Sequence, residues 1–313
     1  MKAAVYRKHQ AQKVEITQVP RPVPKDGEVL VRIEMASVNA LDYRSIRMGI
    51  LPDRRVMGAD IAGVVESVGQ NAKYYKAGDA VFGDIFKYAG GFAEYAAVPE
   101  NTLARIPEGV TFEQAAALPV AAITALQALR DNGGVKPGQR VLICGSGGGV
   151  GTYAVQLAKY FGSEVTAVCG PANTALMKSL GADMVINYAD GDSWAKSKPY
   201  DMIVAVNGNY TISAYKAVLK PGGKLVVLGG SLSQIIKAML LGPLMREKRV
   251  ALLAAKPNRA DLETLAELVR DGHIRPVIEK TYPLDEAAEA VAYLGQGHAR
   301  GKVMISIRED RMI

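Results

Sequence analysis

Two regimes of hydrophobic patterning divide the chain. Through roughly the first 110 residues, apolar and polar positions alternate over short runs such as "EVLVRIEMASV" (28–38) and "IAGVVESVG" (61–69). Turn sequences, "PKDGE", "KAGD" and "YAGG", separate these runs, and alternation with frequent turns predicts a mostly-β lobe. From Gly133 to Ala255 the pattern changes. Short apolar runs ("RVLIC", "EVTAVCG", "DMVINY", "YDMIVAVN", "KLVVLGG", "RVALLAA") take turns with helix-like stretches after Val150, at 173–180, at 212–219 and from Ser233. Parallel strands need long crossovers, so this alternation predicts an α/β unit with a doubly wound parallel sheet. Beyond Pro257 come an amphipathic helix (261–270), a strand "VIEKTYPL", a helix from Asp285 and a closing strand "GKVMISI". Two lobes result, with no internal repeat and no low-complexity linker.

The first strand of the alternating stretch, "RVLIC", runs into "GSGGGVG" (145–151), where six of seven residues are glycine or serine. Downstream, Val150, Ala154, Leu157, Ala158 and Phe161 fall at helical spacing. Glycines let a backbone turn tightly and approach a ligand, and the helix that follows offers unpaired N–H groups and a positive dipole end to a pyrophosphate. The spacing fits G-x-x-G-x-x-G at Gly145, Gly148 and Gly151; the strict G-x-G-x-x-G would require glycine at Ser146. A surface turn has the same composition. Position decides for the phosphate site, because a Rossmann unit places it after its first strand.

In such units an acidic residue at the end of the second strand holds the ribose hydroxyls of NAD(H). Here that strand ends at Cys169-Gly170 without a carboxylate. A carboxylate would repel a 2′-phosphate, so its absence favours NADP(H), with Asn173 and Lys178 as candidate phosphate partners.

Composition narrows the classes further. The 313 residues are 49% hydrophobic, enough for two ordinary cores. The formal charge of +7, from 38 basic and 31 acidic side chains, is scattered without a basic block, and no nucleic-acid partner is expected. "MKAAVYRK" reads as a strand rather than a signal peptide, and a cytoplasmic protein is expected. The apolar stretch "AAALPVAAITALQAL" (115–129) is too short and too polar to span a bilayer and is expected as a buried interdomain helix. "SQIIKAMLLGPLMREK" (233–248) has the character of a helix packed on its own sheet, with membrane-surface contact as the lesser reading and no stable insertion. Cys144 and Cys169 lack C-x-x-C spacing, and His9, His273 and His298 are far apart, so the sequence carries no metal signal.

The order of motifs resembles the zinc-independent quinone oxidoreductases of the medium-chain dehydrogenase/reductase superfamily. It rests on "ASVNALDYR", "VMGADIAGVVESVG", "AGDAVFG", "GGFAEYAAVP", "LPVAAITALQAL", the glycine loop, "SLGAD" with "INY", "LKPGGKLVVLGG" and "GHARGKVMISI". The resemblance implies a GroES-like catalytic domain (1–118 and 257–313) around a Rossmann domain (119–256), with the active site in the cleft between them and a homodimer as the family habit. At the positions of the catalytic zinc ligands of related alcohol dehydrogenases stand Asn39, Ala59 and Val120, a set unsuited to zinc.

Carried over residue by residue, the resemblance places Asn39 and Thr124 at the nicotinamide end, with Asp42 and Tyr43 close by. Ser146, Gly147, Gly148, Gly149, Val150 and Gly151 would cradle the pyrophosphate, and Cys169, Asn173 and Tyr188 would surround the adenosine ribose and its phosphate. Val206, Asn207, Leu228 and Gly229 would run beside the nicotinamide ribose, and Lys302 would lie near the cofactor. Gly148 and Gly151 are expected to be the least replaceable, since a side chain there would displace the pyrophosphate. Plainer roles stay open: Asn39 as a turn brace, Asp42 as a cap on "YRSIRMG", Tyr43 as core packing, Tyr188 as a strand end and Thr124 bonded within its own helix.

The expected activity is hydride transfer from NADPH to a quinone or to the β-carbon of an enone, without zinc and without a flavin, Asn39, the cofactor ribose or water stabilising the oxygen and solvent supplying the proton. An enal, enone or enoyl-thioester reductase is the near alternative, and Ile50, where the thioester reductases usually carry tyrosine, argues against thioesters. A non-catalytic NADPH-binding protein, crystallin-like or RNA-binding, is the alternative of another class.

Overall fold

The computed structural model describes residues 1–11, 13–88, 90–190, 198–206, 210–229 and 249–308. The chain falls into two compact units, Met1–Ala121 with Pro257–Ile313, and Ala122–Lys256. The stretch 233–248 and its expected helix lie outside the described residues.

The first unit is built on β3 (Glu28–Val38), whose eleven residues carry apolar side chains to both faces. It pairs antiparallel with β4 (Asp60–Val68), β6 (Tyr95–Pro99) and β15 (Lys302–Ser306). The sheet extends to β5 (Ala80–Asp84) and β7 (Leu103–Arg105) on one side and to β14 (Ile278–Pro283) on the other, while β1 (Lys2–Tyr6) and β2 (Val14–Gln18) form a separate hairpin. Val31, Ile33, Ile61, Leu103 and Ile305 meet in one core with no exposed surface. Full burial of such side chains contributes roughly 1.5–3 kcal/mol each. Two helices close on this sheet: α1 (Ala40–Met48), ended by Gly49 in the left-handed region, and α8 (Ala287–Gly295), which α1 touches. Near the other rim lie α2 (Phe112–Ala116), against β4, and α7 (Arg259–Arg270), against β7.

The second unit is a six-stranded parallel sheet in the order β10-β9-β8-β11-β12-β13. Its strands are β8 (Arg140–Cys144), β9 (Glu164–Cys169), β10 (Met184–Asn187), β11 (Tyr200–Ala205), β12 (Leu219–Val227) and β13 (Arg249–Leu252). Successive strands step away from β8 on one side and then on the other. The order reverses at β8, which is where open α/β sheets leave a crevice for a ligand. The helix α4 (Gly149–Tyr160) packs on β8 and β9, α5 (Thr174–Ser179) on β10 and α6 (Ile212–Ala217) on β12.

The apolar stretch 115–129 is not the one helix its composition predicts. It breaks after α2, and α3 (Pro119–Gln127) starts afresh at the proline, which has no N–H to continue the preceding turn and whose ring suits the first helical position. After α3 the chain widens into a π-helical turn, Ala128–Gly133. The side chain of Gln127 bonds the backbone of Lys256 twice, Nε2 donating to its carbonyl at 2.8 Å and Oε1 accepting its N–H at 2.9 Å. The two chain ends of the second unit are thereby fastened together. Among the described residues no helix is long and apolar enough to cross a membrane.

Candidate active site

In the second unit one register row, Val168, Cys144, Ala205, Val227 and Leu252, crosses five strands near their carboxyl ends. The residues one step beyond it are Cys169, Gly145, Val206 and Leu228, so strand register alone brings three of the predicted cofactor residues, Cys169, Val206 and Leu228, to one edge, together with the start of the glycine loop. Val206 donates its N–H to Cys144 and Leu228 donates to Ala205, which fixes that edge. Gly229 follows, buried, and Asn207 lies outside the described residues.

The glycine loop leaves β8 through Gly145 at φ +80°, a left-handed conformation suited to glycine. The Ser146 hydroxyl donates to the Val168 carbonyl at 3.0 Å, tying the loop to β9. Gly148, Gly149, Val150 and Gly151 then open α4, where backbone N–H groups face outward unpaired by the helix itself. The two glycines named as least replaceable have different reasons for being glycine. A Cβ on Gly148 would meet nothing within 4 Å, so the space it would fill is available to a ligand. A Cβ on Gly151 would stand 2.5 Å from the Ser146 Cα and closer still to the Gly145 carbonyl oxygen, so that glycine is required by packing of the helix on its own loop. Gly147 is covered by Asn173, whose amide nitrogen lies 2.5 Å from where a Cβ would be and whose buried Oδ1 has no partner in the protein. These features fit a dinucleotide: open space before Gly148, a bare helix start and an acceptor with no partner beside them. A variant pair separates the two glycine roles. Gly148→Val is expected to abolish nicotinamide binding with the melting temperature unchanged, whereas Gly151→Ala is expected to cost about 1–3 kcal/mol of stability, both read from thermal melts and cofactor titration.

Cys169 ends β9, and no carboxylate follows it. Burial pushes its thiol above the ordinary cysteine range, against the lowering effect of the neighbouring Ser146 and Thr174 hydroxyls. Cys144 is pushed up to about 12 by burial, so both thiols stay protonated at neutral pH. Tyr188 is largely exposed, its hydroxyl resting 2.8 Å from where a Cβ on Gly170 would project. Thr124 is half-buried in the middle of α3.

In the first unit Asn39 stands between β3 and α1, 6% exposed. Its backbone N–H donates to Asp42 Oδ2 at 2.8 Å; α1 starts at Ala40, so Asp42 does not precede the helix as a cap on 43–49 but closes its first turn from within, and Asn39 itself holds the cap position. Its side chain turns elsewhere. Nδ2 donates to Asp60 Oδ2 at 2.8 Å, and Oδ1 accepts from Lys302 Nζ at 2.7 Å. Asp60, with no exposed surface, also accepts from the Ser37 hydroxyl at 2.7 Å, from the Val120 N–H at 3.0 Å and from Lys302 Nζ at 3.3 Å. Sheet register builds this cluster: Asp60 heads β4, opposite Ser37 on β3 and Asp84 on β5, and Lys302 opens β15 one residue before Val303, which pairs with Val38. Tyr43 is apart from it, its ring packed against Gly295 of α8.

Three carboxyl groups therefore share one ammonium. Burial raises Asp42 to about 7, with Asp60 adding to the rise and the Asn39 N–H and Lys302 opposing it. Asp84, whose carboxylate accepts the Phe86 N–H at 2.9 Å, is likewise raised to about 7 by burial and then by Asp60. The sequence reading missed Asp60, Asp84 and Ser37. The signal for Asp60 was present, since an acidic residue inside the apolar run "VMGADIAGVV" is seldom buried unless paired. Ala59 is buried, and among the described residues no group of three or more His, Cys, Asp or Glu side chains is placed to hold a metal ion. A groove of about 750 Å³ elsewhere in this unit, between Met35, Ile106, Val110 and Phe112, contains none of the predicted residues.

Comparison with known proteins places this arrangement. Residues 25–108 match the profile described as "Alcohol dehydrogenase GroES-like domain" and residues 180–305 the one described as "Zinc-binding dehydrogenase". A "Protein-L-isoaspartate(D-aspartate) O-methyltransferase" profile also matches 92–240, a span that coincides with neither unit. Over 308 residues the chain is 35% identical to the chloroplast envelope quinone oxidoreductase homolog of Arabidopsis thaliana, covering 93% of both chains. It is 33% identical to the mitochondrial NAD(P)H oxidoreductase RTN4IP1 of Bos taurus, covering 90% of this chain and 82% of the relative. It is 35% identical to the 2-methylene-furan-3-one reductase of Solanum lycopersicum, covering 92% and 74%. Among solved structures, the quinone oxidoreductase from Coxiella burnetii superposes with a TM-score of 0.90 at 30% identity, covering 98% of this chain and 99% of that one.

A GroES-like sheet domain joined to a parallel Rossmann-type sheet is the architecture of the medium-chain dehydrogenases/reductases. Within that superfamily the chain belongs to the quinone oxidoreductase family, and it is an oxidoreductase that uses a nicotinamide cofactor.

Proposed function

We propose that the protein is an NADPH-dependent reductase that delivers hydride to a quinone or to the β-carbon of an α,β-unsaturated carbonyl, without zinc. The observation that carries this reading is the Asn39 amide, held by a buried Asp60–Lys302 pair, at a position that the family resemblance equates with a metal ligand of zinc-dependent dehydrogenases. One amide hydrogen goes to Asp60. The other has only the Ser37 carbonyl at 3.4 Å, too long to be a strong bond, and so can be claimed by the oxygen of an acceptor.

A bound nicotinamide supplies the hydride. The protein's part is to hold the partners close and to set a donor where negative charge develops on oxygen. Gly148 and the start of α4 receive the pyrophosphate, while the end of β9 carries no carboxylate to repel a 2′-phosphate. An exocyclic methylene conjugated to a ketone, named in the tomato relative, keeps the unsaturated ketones beside the quinones as acceptors.

The test is oxidation of NADPH, and separately of NADH, with a benzoquinone, a naphthoquinone, a short 2-alkenal and an enoyl thioester. Turnover with NADPH and a quinone or alkenal is expected. Faster turnover with NADH would overturn the cofactor assignment, and NADPH binding without turnover on any acceptor would overturn the enzymatic one.

A further inference from the structure

The Lys302 ammonium is 2% exposed and has three hydrogens and three acceptors, Asn39 Oδ1 at 2.7 Å, Asp60 Oδ2 at 3.3 Å and the Val38 carbonyl at 3.4 Å. The Val38 contact is the weak one of the three, but at 2% exposure the ammonium presents almost no surface to a ligand. A carboxylate only accepts and an ammonium only donates, so their joint hold on Asn39 admits one orientation of its amide. Turned over, the amide would set its oxygen against the Asp60 carboxylate and its NH2 against the Lys302 ammonium. Asp60 is itself fixed by the Ser37 hydroxyl and the Val120 N–H, so the amide cannot turn by shifting its partner.

We propose that Lys302 and Asp60 are positioning residues that act through Asn39, locking its amide in one orientation and polarising it so that its second N–H becomes the donor to the acceptor oxygen. The inference rests on the reductase reading above. It gives Lys302 a different task from the cofactor contact that the family resemblance implies. The cation at Oδ1 withdraws electron density from the amide, which makes the N–H a better donor to an oxygen gaining negative charge than to a neutral one, and an interaction stronger in the transition state raises kcat rather than affinity.

The experiment compares wild type with Lys302→Met, Lys302→Arg, Asn39→Ala and Asn39→Ala/Lys302→Met, measuring kcat, KM for a naphthoquinone and the NADPH dissociation constant by cofactor fluorescence. Lys302→Met is expected to lower kcat roughly 10- to 100-fold while the NADPH dissociation constant stays within about twofold. Lys302→Arg, which keeps the charge, recovers most of the loss. The double variant is expected to be no slower than Asn39→Ala alone, because both changes remove one interaction. A loss carried by NADPH affinity, or a full multiplication of the two single losses, would overturn the proposal. Should Lys302→Met fail to fold with Asp60 left unpaired, Asp60→Asn/Lys302→Met removes both charges and takes its place.

A second readout is independent of turnover: hydrogen exchange of the Asn39 side-chain NH2, assigned in a 15N spectrum by its loss in Asn39→Ala. Slow exchange in wild type that becomes fast in Lys302→Met supports the lock; equal exchange in both refutes it. A wild type that binds NADPH and turns over nothing overturns the reductase reading and the catalytic half of this proposal, and the exchange data then judge the lock alone.

Discussion

Asp60→Ala is expected to destabilise the protein by about 3–5 kcal/mol, measured as a shift of the first-unit transition in urea. The cost has an identifiable source. Lys302 would keep its charge in a place with almost no contact with water, and the Ser37 hydroxyl, the Val120 N–H and the Asn39 Nδ2 would each lose a bond to the Asp60 carboxylate. Breaking a buried pair costs more than the pair contributes, because the surviving ion stays desolvated. A shift below about 1 kcal/mol, the scale of an exposed ion pair, would show that water reaches Lys302. Asp60→Ala/Lys302→Met, which leaves no orphaned charge, is expected to recover much of the loss.

Stability is expected to fall as pH rises from about 4 towards about 7 wherever Asp42 and Asp84 dominate. Both carboxyls lie near 7 in the folded protein against an ordinary value of 3.8. Between those values the folded chain keeps protons that the unfolded chain has released, so each unit of pH favours unfolding until the folded groups ionise too. Above that point the penalty is complete and constant. Asp84→Asn keeps an acceptor for the Phe86 N–H and removes the titration, so it is expected to match wild type near pH 4 and to exceed it at pH 8 by an amount on the order of a few kcal/mol. An Asp84→Asn curve parallel to wild type across this range would contradict the assignment. The acid side behaves oppositely. Asp183 and Asp201 are held below the usual range by Lys159 and Lys220, with help from backbone N–H groups and against partial burial, and their contribution is lost only as pH falls through those lowered values.

The strand edge and glycine loop proposed to hold the cofactor were legible because local patterns build them. A strand, a run of glycines and a helix are contiguous in sequence, and the residues at the ends of β9, β11 and β12 reach the same edge by parallel register without any further information. The Asn39 cluster was not legible in the same way. Ser37, Asp60 and Asp84 become neighbours only when three antiparallel strands adopt one register, and Lys302 arrives from the far end of the chain. Charge composition counts these residues but cannot pair them. Two local readings were corrected by local physics. Pro119 divided what hydrophobicity alone drew as one helix, and Gly151 proved to serve packing within the loop, whereas Gly148 faces open space.

The pair of hydrogen bonds between Gln127 and Lys256 has a meaning for how such a chain came to be assembled. A segment whose first helix and last strand-exit are fastened side by side presents its two cut ends together, like a module with a single socket. Such a segment can be inserted into a surface loop of another domain without stretching the host, which is the geometry that tolerated domain insertions share. Residues 122–256 can therefore be treated as a transplantable cassette: on the cofactor assignment proposed above, exchanging them for the equivalent segment of a relative, with glutamine retained at the junction, is expected to swap cofactor preference while leaving the Asn39 cluster untouched.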